Sequence, residues 1–216
     1  MMETVSGTGV KELGIRPLDP LPIQNVSLTI MDGITLNISE GALKGIKNCV
    51  INYFNIDWEI ERGYMNVTCN ALSLEGQFVL FGENPESQSV IGSKNVNGEG
   101  EAKIKLDNTN LNVDVSIYLT KRDGEIYVKI PNNNMKYTYD TEKAHFIIEK
   151  LIIADNDLSQ VISSYLNDNW RTTMKQFGSV IMDKALELFI GLIAKFCDEI
   201  PAKKYISEEL NSYLKH

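Results

Sequence analysis

From Leu158 to Phe196 the chain carries no proline. Its apolar residues there keep helical spacing: Leu158, Val161, Ile162, Tyr165, Leu166, Trp170, Met174, Phe177 and Ile181. Asp157 precedes the run and Gln160 follows three residues later, the spacing of a capping box. The pattern predicts one helix of about 40 residues, about 60 Å long at a rise of about 1.5 Å per residue. Between Ile181 and Phe196 the polar residues shrink to a thin stripe of Asp183, Lys184, Glu187 and Lys195. A helix that is apolar almost all the way round must be enclosed. A bilayer does not enclose it, because the longest apolar run, Leu188 to Ala194, is far short of the roughly 20 residues a crossing needs. The enclosing material has to come from the same chain.

The preceding part of the chain supplies it. Pro17, Pro20 and Pro22 make an extended lead-in. Val26, Leu28 and Ile30, then Ile34, Leu36 and Ile38, alternate with a period of two across the turn Met31-Asp32-Gly33. A loop is expected at SEGALKG (39–45) and another across most of ENPESQSVIGSKNVNGEGE (83–101). Two long runs change phase midway: Cys49, Ile51, Tyr53 gives way to Phe54, Ile56, Trp58, and Met65, Val67, Cys69, Ala71 gives way to Leu72, Leu74, Phe78. A phase change within a strand is what a bulge produces, and bulges bend sheets. Ile104 and Leu106 are followed by Leu111, Val113, Val115, Ile117 and Leu119. Hairpins are expected at Arg122-Asp123-Gly124 and between MKYTYD (135–140) and KAHFIIEKLII (143–153). Bent antiparallel strands come first and a long apolar helix comes last, so the fold class is α+β: a highly curved antiparallel β-sheet, a super-roll, wrapped around a long C-terminal helix.

The 216 residues, 43% of them hydrophobic, suit one sizeable core. The net charge of −8, with no basic cluster along the sequence, argues against nucleic acid or an anionic membrane surface as partner. Cys49, Cys69 and Cys197 form no Cys-x-x-Cys, and His145 and His216 lie far from each of them, so no metal and no cofactor are expected. Asp155, Asn156 and Asp157 lack the glycine and closing glutamate of a calcium loop and read as helix-capping residues. His145 has no evident Ser or Cys partner, so catalytic residues are expected to be none. Asn25, Asn37 and Asn66 head glycosylation triplets, about as many as chance gives in an Asn-rich chain.

LGIRPLDPLPI (13–23), GIKNC (45–49), NGEGEAKIKL (97–106) and above all LSQVISSYLNDNW (158–170), in this order, resemble the insect juvenile-hormone-binding protein and takeout family of the tubular lipid-binding superfamily. The resemblance implies a wrapped sheet around a long helix, an internal apolar tunnel, secretion, and carriage of juvenile hormone, another terpenoid or a long-chain lipid without enzymatic activity. It places one domain at 13–200 and a tail at 201–216. Residues 1–12 form a truncated or atypical lead, because the family has a helix and a cysteine pair ahead of this motif. Some takeout-like proteins carry Cys at both positions 49 and 69, so a disulfide is expected there, with two buried thiols as the alternative and Cys197 left as a lone thiol.

Within that tunnel the helix would offer Trp170, Met174, Phe177 and Phe189, and the sheet Phe78, Ile104, Val113, Val115 and Ile117. Tyr118 and Tyr165 would orient a head group. The same residues also suit plain core packing. The expected protein is a monomer with a small hydrophobic ligand. The alternative is a protein-interaction module with a solid core and no ligand. A lipid-ester hydrolase is the weakest reading, for want of a catalytic constellation.

Overall fold

The computed structural model describes residues 17–31, 33–88, 93–131, 134–153 and 155–215. The lead at 1–12, the opening of the Pro-rich motif at 13–16, Asp32 and His216 lie outside them. The elements are β1 (Leu21–Met31), β2 (Ile34–Lys44), β3 (Cys49–Asp57), β4 (Arg62–Glu83), β5 (Asn95–Ser116), β6 (Tyr118–Arg122), β7 (Glu125–Lys129), β8 (Met135–Ile153), β9 (Asn156–Asp157), α1 (Ser159–Asp168) and α2 (Trp170–Glu199). One antiparallel sheet has the order β1-β2-β4-β5-β8-β9. β4 is long enough to serve two neighbours on one side: β2 pairs with its residues 73–82 and β3 with its residues 62–69. β6 and β7 form a separate hairpin whose turn residues Asp123 and Gly124 both have positive φ, +52° and +80°, as a two-residue primed turn requires.

The phase changes in the sequence have a common origin. Between Cys69 and Ala71 and between Thr109 and Asp107, pairing of β4 with β5 resumes in the same register, leaving Asn70 and Asn108 out. The same gap between β5 and β8 leaves out Asn108 and Glu142. Asn108 has φ +47°, and its Nδ2 donates to Glu142 Oε2 at 2.6 Å. Three strands therefore break alternation along a single row. Before the break Leu72, Leu106 and Phe146 face the core; after it Cys69, Thr109 and Thr141 do. Bulges at Ser39 in β2 and Asn52 in β3, with αL residues Asn25 and Lys150, add further bends.

Five expectations are corrected. SEGALK belongs to β2: the bulge at Ser39 reads as a loop signal, and the chain turns only at Gly45, φ +99°. Residues 95–101 belong to β5, so the loop is confined to the segment between Glu83 and Asn95. MKYTYDTEKAHFIIEKLII is one strand, β8, because its apparent turn is the shared bend at Glu142. The long helix is two helices, divided at Asn169 with φ −109° and ψ 24°. The capping box of Asp157 and Gln160 is not formed: the N-cap is Leu158, without a side-chain cap bond, and Asp157 instead accepts from the Ser159 N–H at 2.9 Å, while hydrogen bonds from the Ser159 side chain and backbone hold its pKa below the ordinary carboxylate value.

The division at Asn169 separates two tasks. α1 lies along the open edge of β8 and replaces a missing strand. Its residues 159, 163 and 167 recur every four positions on one face. Ser159 Oγ accepts from Leu151 N–H at 2.8 Å, and Ser163 Oγ accepts from Ile148 N–H at 2.8 Å. Asn167 accepts from Phe146 N–H at 2.9 Å and donates to Phe146 C=O at 2.6 Å. The adjacent face, Leu158, Ile162 and Leu166, packs inward. α2 lies against β7 and β8 and reaches β1, so the sheet curls around it. Six of its eight buried residues, Trp170, Met174, Gly178, Met182, Leu186 and Ile190, repeat every four positions, with Thr173 and Cys197 off that row. At about 100° per residue such a row drifts about 40° per step. The covered side therefore winds about 200° around the helix between Trp170 and Ile190, which explains a sequence apolar on nearly every side.

Met182→Asp places an unpaired charge in that row and should abolish cooperative folding. An unchanged melting temperature would put α2 on the surface. Asn167→Ala strips two bonds from the β8 edge and should cost about 1–3 kcal/mol in urea denaturation. Amide exchange at Phe146 and Ile148 should accelerate before that of β5.

Candidate functional site

The core forms three clusters along the roll. One end holds Trp58, Ile117, Val128, Cys197, Ala202 and Leu210. The other holds Ile34, Phe78, Val96, Leu151 and Ile153, covered by Leu158 and Ile162. Near the second lies a third, with Leu106, Ala144, Phe146, Trp170 and Met174. Among the described residues Met182, Leu186 and Ile190 are buried but join none of these. From Gly178 to Ile190 the helix advances about 18 Å. Along this stretch Phe177, Val180, Ile181, Leu188 and Phe189 are only half-buried.

The sheet facing this stretch is apolar in register. Phe54, Met65, Val113 and Tyr137 form one cross-strand row, and Ile51, Val67, Leu111 and Tyr139 the next. A third holds Ile56, Gly63, Val115 and Met135. At the β8 end the helix is fastened to these rows. Tyr139 donates to Met174 C=O at 3.1 Å, and Tyr137 donates to Asp183 Oδ1 at 2.6 Å. Gly178 makes room for the first contact, since a Cβ there would stand 2.1 Å from the Tyr139 hydroxyl oxygen. Burial raises both phenol pKa values, and for Tyr137 the Asp183 carboxylate adds to it. Both hydroxyls stay protonated, and able to donate, throughout the neutral range. At the β3 end the rows run out into solvent: Phe54 is 61% exposed.

The concave face also holds hydroxyls. Thr109 and Thr141 are buried side by side, Oγ1 to Oγ1 at 3.2 Å, with Thr141 also donating to Asp107 C=O at 2.9 Å. Their row continues through Cys69 to Cys49. Cys49 and Cys69 form a disulfide between directly paired positions, Cα atoms 4.2 Å apart. Cys197 is a buried free thiol whose pKa burial pushes up.

The residues singled out in the sequence are spread along the roll. Val113, Val115, Phe177 and Phe189 flank the middle stretch. Ile104, Trp170 and Met174 belong to the third cluster, Phe78 to one end and Ile117 to the other. Tyr118 and Tyr165 are 40% and 63% exposed, away from the concave face. Sequence reasoning missed Met65, Leu186, Ile190 and the threonine pair. The four-residue spacing from Trp170 to Ile190 was the available signal for the helix row.

No curated protein matches the chain significantly. Among solved structures it is similar to the crystal structure of Epiphyas postvittana Takeout 1, with a TM-score of 0.77 over 94% of this chain and 91% of that one. At 22% identity the likeness speaks for the fold. The profile of the haemolymph juvenile hormone binding protein family matches residues 2–207, and the chain belongs to that family.

Proposed function

We propose that the protein carries a small hydrophobic ligand between α2 and the middle of the sheet, outside the cell, as a monomer without catalytic activity or cofactor. Juvenile hormone, another terpenoid and a long-chain lipid all fit this description. The observation that carries the reading is the interruption of the core. Both ends of the roll are packed, while the helix between them presents half-buried Phe177, Val180, Ile181, Leu188 and Phe189 to an apolar sheet. An apolar cargo completes such a core. Each buried CH₂ contributes about 0.8 kcal/mol, so a long chain binds with few polar contacts. Met65, Met174 and Met182 suit a lining that adapts to its contents. Thr109 and Thr141, rather than the exposed Tyr118 and Tyr165, would accept from a ligand hydroxyl, since their own protons are donated within the pair and to Asp107 C=O.

Secretion is supported by the disulfide and by the family. The second reading, an interaction module with a solid core, has one observation of its own. Among the described residues β3 pairs only with β4, and Val50, Ile51, Tyr53 and Phe54 are exposed along it. An apolar strand with a free edge is a template for another chain.

Organic extraction followed by mass spectrometry separates the two, since only a carrier releases a co-purified lipid. Val113→Trp and Phe177→Trp should weaken binding of a long-chain fluorescent probe, with stability changed by no more than about 1–3 kcal/mol. Destabilisation of that size in a protein that never binds the probe would favour the solid core.

A further inference from the structure

The lysines of this chain are scattered in sequence, but the strands gather several of them. On the convex face Lys44, Ser73, Lys105 and His145 form one cross-strand row through β2, β4, β5 and β8. The flanking rows hold Glu75, Lys103 and Ile147 on one side and Asp107 and Lys143 on the other. Three strand spacings make this patch about 14 Å wide. Four lysines and a histidine thus share it with two carboxylates, in a chain whose net charge is −8. Glu75 serves both Lys44 and Lys103, the latter at 3.3 Å, and Asp107 Oδ2 lies 3.3 Å from His145 Nε2. Lys143 stands over the Trp170 ring, 5.3 Å from its centroid. Lys105, at the centre and exposed, has no ion-pair or hydrogen-bond partner among the described residues. Two depressions, of about 320 and about 580 Å³, open on either side of it, and Lys105 and Asp107 line both; Lys44 and Lys103 complete the first, whereas the second also carries the Asp168 carboxylate. The next row, Glu40, Glu101 and Glu149, is acidic and bounds the patch sharply.

We propose that this convex face docks the protein on an anionic lipid surface, with Lys105 and the first depression, shared by Lys44 and Lys103, receiving headgroup phosphates. Charge complementarity selects the sign of the partner. The exposed Ile147 beside Lys103 and His145 favours a bilayer over a soluble anion, because an interfacial surface accepts cations and an apolar side chain together. The inference builds on the carrier reading: a carrier of an apolar cargo has to load and unload at membranes.

The test is flotation with phosphatidylcholine vesicles, with and without phosphatidylserine, at about 0.15 M and about 1 M salt, where the screening length falls from about 8 Å to about 3 Å. Binding should require phosphatidylserine and disappear at the higher salt. Lys105→Glu should weaken it at least about fivefold, the worth of roughly one lysine near such a surface. Lys121→Glu, with the same charge change on β6, should leave it unchanged. Because Lys105 is exposed, both variants should melt like the parent chain. Equal losses from the two variants, equal binding to pure phosphatidylcholine, or capture by heparin or inorganic phosphate without vesicle binding would each overturn the proposal. A long-chain fluorescent probe titrated without vesicles tests the carrier reading separately: probe binding without flotation removes only the docking, and flotation without probe binding removes only the cargo.

Discussion

The interior of the roll depends on the row Asn70, Asn108 and Glu142, where three long strands skip one pairing together. Strict alternation of two faces holds only while the backbone stays extended. Had β5 continued unbroken past Leu106, Asn108, Asn110 and Asn112 would face α2, and Leu111 and Val113 would face water. The αL turn at Asn108 exchanges the faces and bends the sheet at the same point. The asparagines then lie outside, where they bond to one another: Asn66 Nδ2 donates to Asn110 Oδ1 at 3.0 Å and to Asn112 Oδ1 at 2.7 Å, and Asn52 Nδ2 donates to Asn66 Oδ1 at 2.7 Å. A strand of 22 residues would extend about 70 Å if straight. Bent here, it curls with the sheet around a helix of 30 residues, about 45 Å long.

A sheet that wraps a helix without closing leaves free edges, and this one treats them differently. At β8 the serines and asparagine of α1 bond to the backbone N–H groups of Phe146, Ile148 and Leu151 along the edge that has no strand neighbour there among the described residues. This accounts for the composition of LSQVISSYLNDNW, where small polar residues recur every four positions beside an apolar row. At β3 no such cover exists among the described residues, and the strand is tied to β4 covalently. A crosslink closing a loop of 20 residues removes about 3 kcal/mol of chain entropy from the unfolded state, on the loop-closure account. That staple sits where packing is thinnest, at the end of the apolar rows that run out into solvent.

The architecture was legible because periodicity survives in both halves: the strands alternate and the helix does not. The disulfide was legible from position and family resemblance. The shared bend was visible only as phase changes, and in β8 it passed for a hairpin, because the polar segment Asp140 to Lys143 looks alike whether the chain reverses or merely kinks. The two-helix division was hidden because Asn169 leaves the apolar spacing intact on both sides. The cationic face was not legible at all. Lys44, Lys103, Lys105 and Lys143 are far apart in the chain, and only the register of four strands makes them neighbours. A search for basic runs along the sequence reads the wrong dimension of a sheet.

The interrupted core has a thermodynamic consequence. Side chains that are half-buried beside Met182, Leu186 and Ile190 contribute less than full burial would give. On the carrier reading proposed above, an apolar ligand in the middle would supply the missing contacts, and by mass action it would stabilise the fold by an amount that grows with its concentration over its dissociation constant, about 2.7 kcal/mol at 100-fold excess. A molecule that filled its own interior would be more stable when empty and would have nothing to gain from a cargo. On the carrier reading, packed ends and a less completely buried middle are the combination that would let one chain be both folded without its ligand and strengthened by it.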